Sequence, residues 1–485
     1  MRLSAATLAA LPVQVARPSY PRSRVQASVV HLGSGAFHRA HQAYYTDAVL
    51  RSGDLAWGIV GASLMSADKK LALQPQDGLY TLSEIDGGGE ALRVIGSIVG
   101  LYGGRGDLLA LLARMADAAT RIVSLTVTEK GYHLDPSSGL LQLTAPDVAA
   151  DLARPDAPET ILGLVVEALR RRRAAGVAPF TVLSCDNLPQ NGTRARAAVL
   201  AYAWQRDEAL ARWIEAEVPF PCTMVDRITP ATTDADRARI EGLLGMHDAW
   251  PIVTEPFSQW VIEDRFAMGR PDWTVGGAVF SDDIEAWEAM KLRCLNGAHS
   301  TLAYLACLSG CETVADAMVE PMIVDAIDAL WREVCAVTQA PRGLDATAYV
   351  QSLKRRFGNP ALRHRTAQIA MDGSQKLPQR LLAPLRDRIA QGLDSPALVT
   401  ALAAWMLYVS GVAQGRLRTT LEDPLSARLL ETARRSGDTE ALAAGLLSIE
   451  SMFGRDLGAQ PELKAALARR IGELAAHPAI APAIS

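Results

Sequence analysis

The chain has few cysteines and no concentration of charge of either sign. Its six cysteines are scattered over 485 residues without a C-x-x-C pair, which argues against a disulfide-stapled secreted domain and favours a reduced, cytoplasmic protein. Basic and acidic side chains number 49 and 53, and the net charge is -4. Because no basic field is present, neither a nucleic acid nor an anionic membrane surface is an expected partner.

Long apolar runs, targeting features and metal-ligand patterns are also scarce. We expect no run to reach the apolar length of a membrane span, and Met1 to Arg24 lacks the charge, apolar core and cleavage site of a signal peptide. No Cys/His/Glu ligand set for zinc is found, and we interpret Cys307 and Cys311 as packed thiols of an apolar helix. The sequence therefore predicts no membrane partner, no metal and two or three domains.

The apolar pattern changes near residue 285. Before it, β-branched runs alternate with helical patterns, which predicts a parallel sheet covered by helices at 1–285. After it, Ala- and Leu-rich patterns predict a mostly helical domain at 286–485. The predicted strands are 27–33, 57–61, 79–84, 92–98, 121–128 and 180–185. The predicted helices are 39–50, 107–116, 158–175 with Pro158 in its first turn, 286–309, 322–337, 345–357, 379–391, 397–410, 425–436 and 461–475.

A pair of glycines follows the first predicted strand. A strand, a glycine turn and a helix N-terminus together allow a dinucleotide pyrophosphate to approach backbone N–H groups. The third glycine of the usual fingerprint is replaced by His38, so an ordinary strand-to-helix turn is the alternative. His38 and His41 are either packed, exposed or part of a cofactor cleft. The residues expected to contact a cofactor in this segment are Gly33, Gly35, Ala36, Phe37 and His38.

Lys291, Asn296 and His299 lie within nine residues of one another. In an α-helix, at about 100° per residue, Asn296 and His299 share a face, and the long Lys291 side chain reaches the same pocket. A lysine amine there could act as a general base toward a hydroxyl, while the amide and the imidazole polarise its oxygen. Oxidation requires the pKa of Lys291 to fall well below about 10.4. The alternative is a solvated lysine, a capping asparagine and a packed histidine.

Several motifs occur together and in order, and in this combination the chain resembles the polyol-specific long-chain dehydrogenases, the mannitol dehydrogenase family. The resemblance implies an α/β Rossmann-type N-terminal domain, a mostly helical substrate-binding C-terminal domain, a nicotinamide cofactor and a metal-free mechanism. The motifs are Gly33-Ser-Gly-Ala-Phe-His-Arg-Ala-His-Gln42, Ser184-Cys-Asp-Asn187, Met224-Val-Asp226-Arg-Ile228, Glu255-Pro-Phe, Trp260-Val-Ile-Glu-Asp264 and Lys291-x4-Asn296-x2-His299.

The resemblance also implies roles for individual residues. The catalytic lysine of the family matches Lys291, and its two polarising residues match Asn296 and His299. A family glutamate that connects the lysine to solvent matches Glu288, three residues earlier. The alternative for Glu288 is a solvated charge without a catalytic role.

Two further residues match family positions in the N-terminal domain. Asn187 matches an asparagine that lines the reaction site, and Asp226 matches an aspartate near the substrate and the nicotinamide. Asn187 follows a predicted buried strand, where ligands bind in open α/β sheets, although it could instead cap the next helix. Asp226 could instead pair only with Arg227 or Arg265.

Other segments resemble the members of this family that reduce fructuronate to mannonate. Mannitol-specific members tend to have an arginine where this chain has Gln368. A hexuronate carries a carboxylate, for which cationic side chains are the best partners. Lys376, Arg363 and Arg365 are the candidates, Lys376 first, and the alternative is that all three are surface cations. The segments are 124–132, 221–226, 269–273 and 359–380.

The expected reaction is hydride transfer between a nicotinamide and the carbon that is a ketone in D-fructuronate and an alcohol in D-mannonate. Asp68 is the first acid after the second strand, where an acid binds the ribose 2′-hydroxyl of NAD. Lys69 and Lys70 could instead meet the 2′-phosphate of NADP, so NAD is expected and NADP stays an alternative.

Rival functions stay open at this point. Within the enzyme class they are a mannitol 2-dehydrogenase, another polyol dehydrogenase and a hexuronate dehydrogenase acting on tagaturonate. Outside it, the chain could be a catalytically silent protein that binds sugar acids, although such a protein has no need of Lys291. The expected partner is a small sugar acid or polyol, bound by a monomer or a small homo-oligomer.

Overall fold

The computed structural model describes residues 1–135 and 139–480. The chain divides into two compact units, Met1–Ile284 and Glu285–Ser485. The first unit combines strands with helices, and the described part of the second unit is mostly helical. The predicted fold class, a Rossmann-type α/β domain followed by a mostly helical domain, is confirmed.

Five parallel strands form the central sheet of the first unit, in the order β5-β2-β1-β6-β7. The chain runs outward from β1 to one edge and then returns to build the other half of the sheet. Apolar helices cover the buried strands. Because parallel strands end at the same edge, the loops after β1, β2, β6 and β7 meet where open α/β sheets bind ligands. These strands are β1 Ala27–Leu32, β2 Gly58–Ser63, β5 Ile98–Gly103, β6 Ile122–Leu125 and β7 Thr181–Ser184.

Two three-stranded sheets contain the other strands described in this unit. In one, β3 pairs antiparallel with β4 and parallel with β9, and in the other β10 lies between β8 and β11. The predicted antiparallel pair is therefore present, with its second strand about three residues earlier than expected. Strand β5 was not predicted, because its two glycines resemble a turn. The six strands are β3 Tyr80–Asp86, β4 Gly89–Ile95, β8 Thr223–Asp226, β9 Ile252–Thr254, β10 Gln259–Ile262 and β11 Val279–Phe280.

Two of the three helices predicted in the first unit differ from the observed ones, and the other α-helices described in this unit were not predicted. The predicted helix 39–50 is two helices that break at His41, whose φ and ψ are -115° and -92°. The helix expected from Pro158 begins at Ile161, because the Thr160 hydroxyl caps it by accepting from the Gly163 N–H. The helices are α1 Ala36–Ala40, α2 Gln42–Arg51, α3 Asp68–Leu73, α4 Leu108–Ala116, α5 Pro146–Ala153, α6 Ile161–Ala174, α7 Asn191–Arg206, α8 Glu208–Glu217 and α9 Asp234–Leu244.

Helix α10 (Ile284–Met290) begins at the boundary, and the helices of the second unit surround one apolar core. Two of its helical segments, Lys291–Asn296 and Pro378–Leu382, are π-helical. The α-helices are α11 Gly297–Ser309, α12 Val314–Ala317, α13 Pro321–Ala336, α14 Ala346–Phe357, α15 Thr366–Ile369, α16 Gly373–Leu377, α17 Ala383–Ala390, α18 Pro396–Ala413, α19 Ser426–Arg435, α20 Thr439–Leu447, α21 Glu450–Gly458 and α22 Pro461–Ala475.

Helix α18 corrects one expectation from the sequence. Its 18 residues have a mean hydropathy of 1.6, and among the described residues it is the one helix long and apolar enough to cross a membrane. The expectation that no run reaches this length was wrong. However, 83% of the helix is buried inside the protein, where it packs against α11, α13 and α22. A helix that is apolar all round is what a position at the centre of a helical core requires.

Candidate functional site

The glycine loop after β1 is held between the ends of two neighbouring strands. Gly33 has a φ of +101°, and a Cβ atom there would lie 2.0 Å from the Thr126 carbonyl oxygen. The N–H groups of Gly33 and Ser34 donate to the Ala62 carbonyl at 2.9 and 3.1 Å. The first position of the fingerprint therefore needs a glycine for two reasons: its φ is positive, and a Cβ atom would clash with the Thr126 carbonyl.

A second close approach supports the same interpretation. A Cβ atom on Gly61 in β2 would lie 2.5 Å from the Ser34 hydroxyl. The loop thus lies directly against the neighbouring strand, at the position where the strand order reverses. A loop of this kind, which leads from β1 into α1, fits a dinucleotide.

The two histidines after the loop are packed rather than exposed. His38 is fully buried and stacks on His31, with ring centroids 3.5 Å apart and an interplanar angle of 8°. Neither ring nitrogen of His38 has a hydrogen-bond partner in the described part of the chain. His41 is also fully buried, with its ring 4.9 Å from that of Phe37. A cofactor contact by His38 therefore has to come from its backbone.

Asp68 begins α3 after β2, and its side chain is exposed. The two lysines that follow it differ in their surroundings. Lys70 pairs with the Asp107 carboxylate at 2.6 Å, so its charge already has a partner. Burial lowers the pKa of Lys69, and the nearby Arg39 lowers it further. Of the three residues, Asp68 is the one whose charge is exposed.

Asn187 lies just beyond the end of β7 and is exposed, next to an aspartate that was not singled out from the sequence. Asp186 is buried and accepts hydrogen bonds from the N–H groups of Val127 and Thr128, both at 2.8 Å, and from the Tyr132 hydroxyl at 2.7 Å. Burial raises the pKa of Asp186. The aspartate ties the loops after β6 and β7 together, and its place in the Ser184–Asn187 motif was the available signal.

Asp226 is the last residue of β8 and is buried. Each of the two arginines considered as its partners also pairs with a glutamate. Arg227 pairs with the Glu84 carboxylate at 2.5 Å, and Arg265 pairs with Glu263 at 2.7 Å.

In the second unit, the segment Lys291–Asn296 is a π-helix between α10 and α11, where the sequence predicted an α-helix. In an α-helix, residues five apart point well away from each other, whereas the i to i+5 bonding of a π-helix stacks them on one face. The π-helical turn therefore aligns Lys291 with Asn296. Lys291 is buried, with 6% of its surface exposed, and Glu288 is half-buried in α10 one turn earlier.

His299 lies in the first turns of α11 and is 8% exposed. Its ring stacks on Phe357, with centroids 4.8 Å apart and planes 6° apart, and its edge meets His364 at 5.0 Å. Burial lowers the pKa of His299 well below its usual value, and His364 and nearby cations lower it further. The Nε2 atom has no hydrogen-bond partner among the described residues. The site thus holds a neutral imidazole with one nitrogen available to an oxygen.

Three cationic side chains, Arg380, Arg356 and Lys376, lie near enough to His299 to lower its pKa. Arg380 donates to the Ser300 hydroxyl at 3.0 Å, and burial lowers its own pKa to about 10. Arg356 is buried near the end of α14. Sequence reasoning missed both arginines, although Arg380 ends the segment 359–380 that carried the resemblance to fructuronate-reducing proteins.

The three cations predicted to bind a substrate carboxylate have different positions. Lys376 donates to the Met371 carbonyl at 2.6 Å and lies 3.8 Å from the Asp372 carboxylate. Its side chain is 25% exposed, and burial lowers its pKa. Arg363 and Arg365 are both exposed. Of these three predicted residues, Lys376 is the one that lies close enough to His299 to lower its pKa.

Within residues 1–135 and 139–480, no group of three or more His, Cys, Asp or Glu side chains is arranged to hold a metal ion. The chemistry available at the described residues is therefore that of a buried lysine, an amide, a neutral imidazole and a cationic surrounding in the second unit. The first unit adds a loop suited to a dinucleotide.

Sequence comparison matches both units to known domains. The mannitol dehydrogenase Rossmann domain matches residues 27–275, and the mannitol dehydrogenase C-terminal domain matches residues 283–475. The D-mannonate oxidoreductase of Escherichia coli (strain K12) is 47% identical over 448 residues, 91% of this chain and 92% of that protein. The mannitol 2-dehydrogenase of Cereibacter sphaeroides is 41% identical over 432 residues, 88% of this chain and 90% of that protein.

A solved structure gives the same result. The mannitol 2-dehydrogenase of Pseudomonas fluorescens, in a ternary complex with NAD and D-mannitol, is 39% identical and has a TM-score of 0.84. The similarity covers 100% of this chain and 99% of that one. The resemblance drawn from the motifs is confirmed, and with it a nicotinamide-dependent oxidoreductase active on polyols or hexuronates.

Proposed function

This chain belongs to the mannitol dehydrogenase family, and we propose that it interconverts D-fructuronate and D-mannonate with NAD(H). The observation that carries this choice is the group of cations around His299, namely Arg380, Arg356 and Lys376. An uncharged polyol has no need of such a group, whereas a hexuronate carboxylate is stabilised by it. The 47% identity with the D-mannonate oxidoreductase of E. coli supports the same choice.

The proposed chemistry divides between the two units. A bound nicotinamide supplies the hydride in reduction and accepts it in oxidation. The loop that begins at Gly33 would hold the pyrophosphate of the cofactor, because its glycines allow the close backbone approach described above. Asn187 and Asp226, at the ends of β7 and β8, are the proposed contacts of the first unit to the reacting sugar and the nicotinamide.

The second unit would handle the proton. Lys291 takes the hydroxyl proton during oxidation and returns it to the carbonyl oxygen during reduction. Asn296 and the neutral ring of His299 donate hydrogen bonds to that oxygen and stabilise the negative charge that develops on it. The stacking of His299 on Phe357 fixes the direction of its ring. Glu288, half-buried one turn before Lys291, is the proposed proton link to solvent.

NAD is the proposed cofactor rather than NADP. Asp68 presents an exposed carboxylate at the start of α3, where it would bind the two ribose hydroxyls and repel a 2′-phosphate. Lys70 is paired with Asp107 and is therefore a poor candidate for a phosphate partner. The mannitol 2-dehydrogenase of P. fluorescens was solved with NAD, which agrees with this choice.

A panel of ketoses tests the proposal directly. Reduction of D-fructuronate, D-tagaturonate and D-fructose is followed at the nicotinamide absorbance with NADH and with NADPH. We expect kcat/KM to be highest for fructuronate with NADH. A higher value for fructose would identify a mannitol 2-dehydrogenase, and a higher value for tagaturonate would identify a different hexuronate dehydrogenase. NADH binding without turnover of any sugar would support a binding protein instead.

A further inference from the structure

The polar side chains beneath the glycine loop form one chain of hydrogen bonds. His31 Nδ1 lies 2.8 Å from Ser124 Oγ, and His31 Nε2 lies 2.8 Å from Thr126 Oγ1. Thr126 Oγ1 donates to the Gly33 carbonyl at 2.7 Å, and Ser124 Oγ lies 2.8 Å from the Gln42 amide. These hydrogen bonds connect α2, β1 and β6 to the first residue of the loop.

The protonation state of His31 determines which group donates and which accepts in each of these hydrogen bonds. The ring is fully buried, and burial lowers its pKa to about 3, so it is neutral and carries a single N–H. Thr126 has one hydroxyl proton and donates it to Gly33, so the ring must donate to Thr126 from Nε2 and accept from Ser124 at Nδ1. Gln42 Nε2, which has no partner among the described residues, reaches Ser124 when its amide is turned by 180°.

We propose that His31 is a positioning residue for the cofactor, acting through Thr126 on the Gly33 carbonyl. The proposal rests on the proposed function, in which this loop binds the dinucleotide. The Thr126 backbone also lies against Gly33, where it leaves no space for a Cβ atom. Loss of the hydrogen bond from the Thr126 hydroxyl would therefore free the Gly33 carbonyl, while the backbone contact with Thr126 stays in place. A change at His31 should therefore weaken cofactor binding without changing the proton-transfer step in the second unit.

Three single variants test this role. His31→Phe keeps a ring against His38 and removes the donor, while Thr126→Val removes the hydroxyl and Thr126→Ser keeps it. NADH affinity is measured by fluorescence titration, and kcat at saturating NADH. One hydrogen bond corresponds to roughly tenfold in affinity. We expect His31→Phe and Thr126→Val to bind NADH about tenfold more weakly with kcat changed less than about threefold, and Thr126→Ser to bind almost normally.

The double variant His31→Phe/Thr126→Val should bind NADH no more weakly than either single variant, because both break the same chain. NADH affinity within about twofold of wild type in His31→Phe, with only a lower melting temperature, would reduce His31 to a structural residue. Equal losses for Thr126→Ser and Thr126→Val would also overturn the proposal. Failure of the wild-type protein to bind NADH would instead overturn the proposed function, and this role with it.

A second, independent observation concerns two thiols of the second unit. The sulfur atoms of Cys294 and Cys335 lie 3.7 Å apart, and both cysteines are free. Cys294 is fully buried within the π-helical turn that carries Lys291 and Asn296. Cys335, in α13, is partly exposed and lines an open crevice of about 320 Å³ that Lys354 also lines. One cysteine of the pair therefore borders the open crevice, and the other lies in the proposed catalytic segment.

We propose that hydrogen peroxide oxidises this pair to a disulfide and so inactivates the enzyme reversibly. The Cys335 thiolate attacks one peroxide oxygen, the O–O bond breaks, and a sulfenic acid and water result once the leaving oxygen takes up a proton. The Cys294 thiol then attacks the sulfenic sulfur, forming the S–S bond and releasing a second water. The two thiols lose two electrons and two protons, and one peroxide is reduced to two waters. The Cys294 hydrogen bond lowers the pKa of Cys335, which favours it as the attacking thiolate.

The disulfide would displace the proposed catalytic segment. An S–S bond is about 2.05 Å long, so the two sulfurs must approach by roughly 1.7 Å. The π-helical turn that holds Cys294 also holds Lys291 and Asn296. Because a misplacement of about 1 Å in a catalytic group can cost on the order of a hundredfold in rate, this movement should largely abolish turnover.

Peroxide treatment followed by peptide mass spectrometry tests this proposal. Wild-type protein should gain a Cys294–Cys335 cross-link, lose at least about tenfold in activity, and regain it with dithiothreitol. Cys335→Ser should keep its activity under peroxide, whereas Cys222→Ser, which removes a partly buried thiol of the first unit, should respond like wild type. Absence of the cross-link, or inactivation of Cys335→Ser to the same extent, would overturn it. The cross-link is read without any sugar substrate, so it is judged separately from the proposed function.

Discussion

His299 and Phe357 lie flat against each other, with ring centroids 4.8 Å apart and planes 6° apart. An aromatic face therefore orients the imidazole, and Nε2 keeps no hydrogen-bond partner among the described residues. Burial and the surrounding cations hold the pKa of His299 well below its usual value, so the ring can donate without carrying a charge. This arrangement suits a group that polarises a carbonyl while another residue transfers the proton.

Replacement of Lys291 by alanine should separate chemistry from cofactor binding. We expect kcat to fall by about 10²- to 10⁴-fold, the usual contribution of a general acid or base, with NADH affinity almost unchanged. Stopped-flow turnover and NADH fluorescence titration measure the two quantities. Lys291→Arg, which keeps a charge that cannot be removed at neutral pH, should be almost as inactive. Near wild-type turnover in Lys291→Ala would remove the residue from its proposed role.

Lys376→Met should impair reduction of a charged sugar more than that of an uncharged one. A hydrogen bond to a charged group is worth about 1.5–3 kcal/mol, so kcat/KM for fructuronate should fall about ten- to a hundredfold. The loss for fructose should be much smaller. Arg363→Met and Arg365→Met are matched controls, since both arginines are exposed. Equal losses on both sugars would contradict a carboxylate-binding role for Lys376.

Asp68→Ser should change the choice of cofactor. Loss of the carboxylate removes a partner of the ribose hydroxyls and a charge that repels a 2′-phosphate. We expect the ratio of kcat/KM for NADH to that for NADPH to fall at least about tenfold. Asp77→Ser, which changes another acid of the first unit, is the control. An unchanged ratio would place the ribose away from Asp68.

The stability of the first unit should depend on pH through His31 and His38. Burial lowers the pKa of His31 to about 3 and that of His38 well below its usual value, so both rings stay neutral in the folded chain. The unfolded chain binds a proton at each ring below about pH 6.5. Their contribution is therefore complete above pH 6.5 and is lost on acidification, by about 1.4 kcal/mol per pH unit for each ring.

The variant His38→Phe keeps the stacking and removes one of these titrations. Urea unfolding at pH 7.5, 6.0 and 5.0 should show a smaller loss of unfolding free energy on acidification than in the wild-type protein. The same slope in His38→Phe and wild type would show that His38 is protonated in the folded state.

The parts of the fold that the sequence predicted are those decided by local pattern. The first strand is a short run, mostly apolar and partly β-branched, that stops at Gly33, and both ends are correct within a residue or two. The strand at Ile98–Gly103 was missed because it is a partly buried edge strand that contains two glycines, which weaken the strand pattern. The break at His41 was missed because it lies inside a continuous helical pattern.

The π-helical turn at Lys291 could not be predicted for a related reason. Its residues read as an ordinary helix, and the extra residue in the turn is accommodated by contacts with a distant segment. A Cβ atom on Gly297 would lie 3.0 Å from the Arg380 carbonyl oxygen, and Arg380 also binds Ser300. The sequence therefore indicated which residues could act together, while tertiary packing decided how Lys291 and Asn296 are aligned.

Helix α18 has a consequence for the synthesis of the chain. Its covering helix α22 packs along it, and Arg470 donates to the Thr400 hydroxyl at 2.9 Å. At about 5–20 residues per second, the roughly 50 residues that separate the two helices take several seconds to emerge from the ribosome. During that interval an uncharged segment as apolar as a membrane span lacks its last covering helix. Premature termination before Pro461 leaves that surface permanently open, so truncated products should be substrates for chaperones and proteases rather than partly active enzymes.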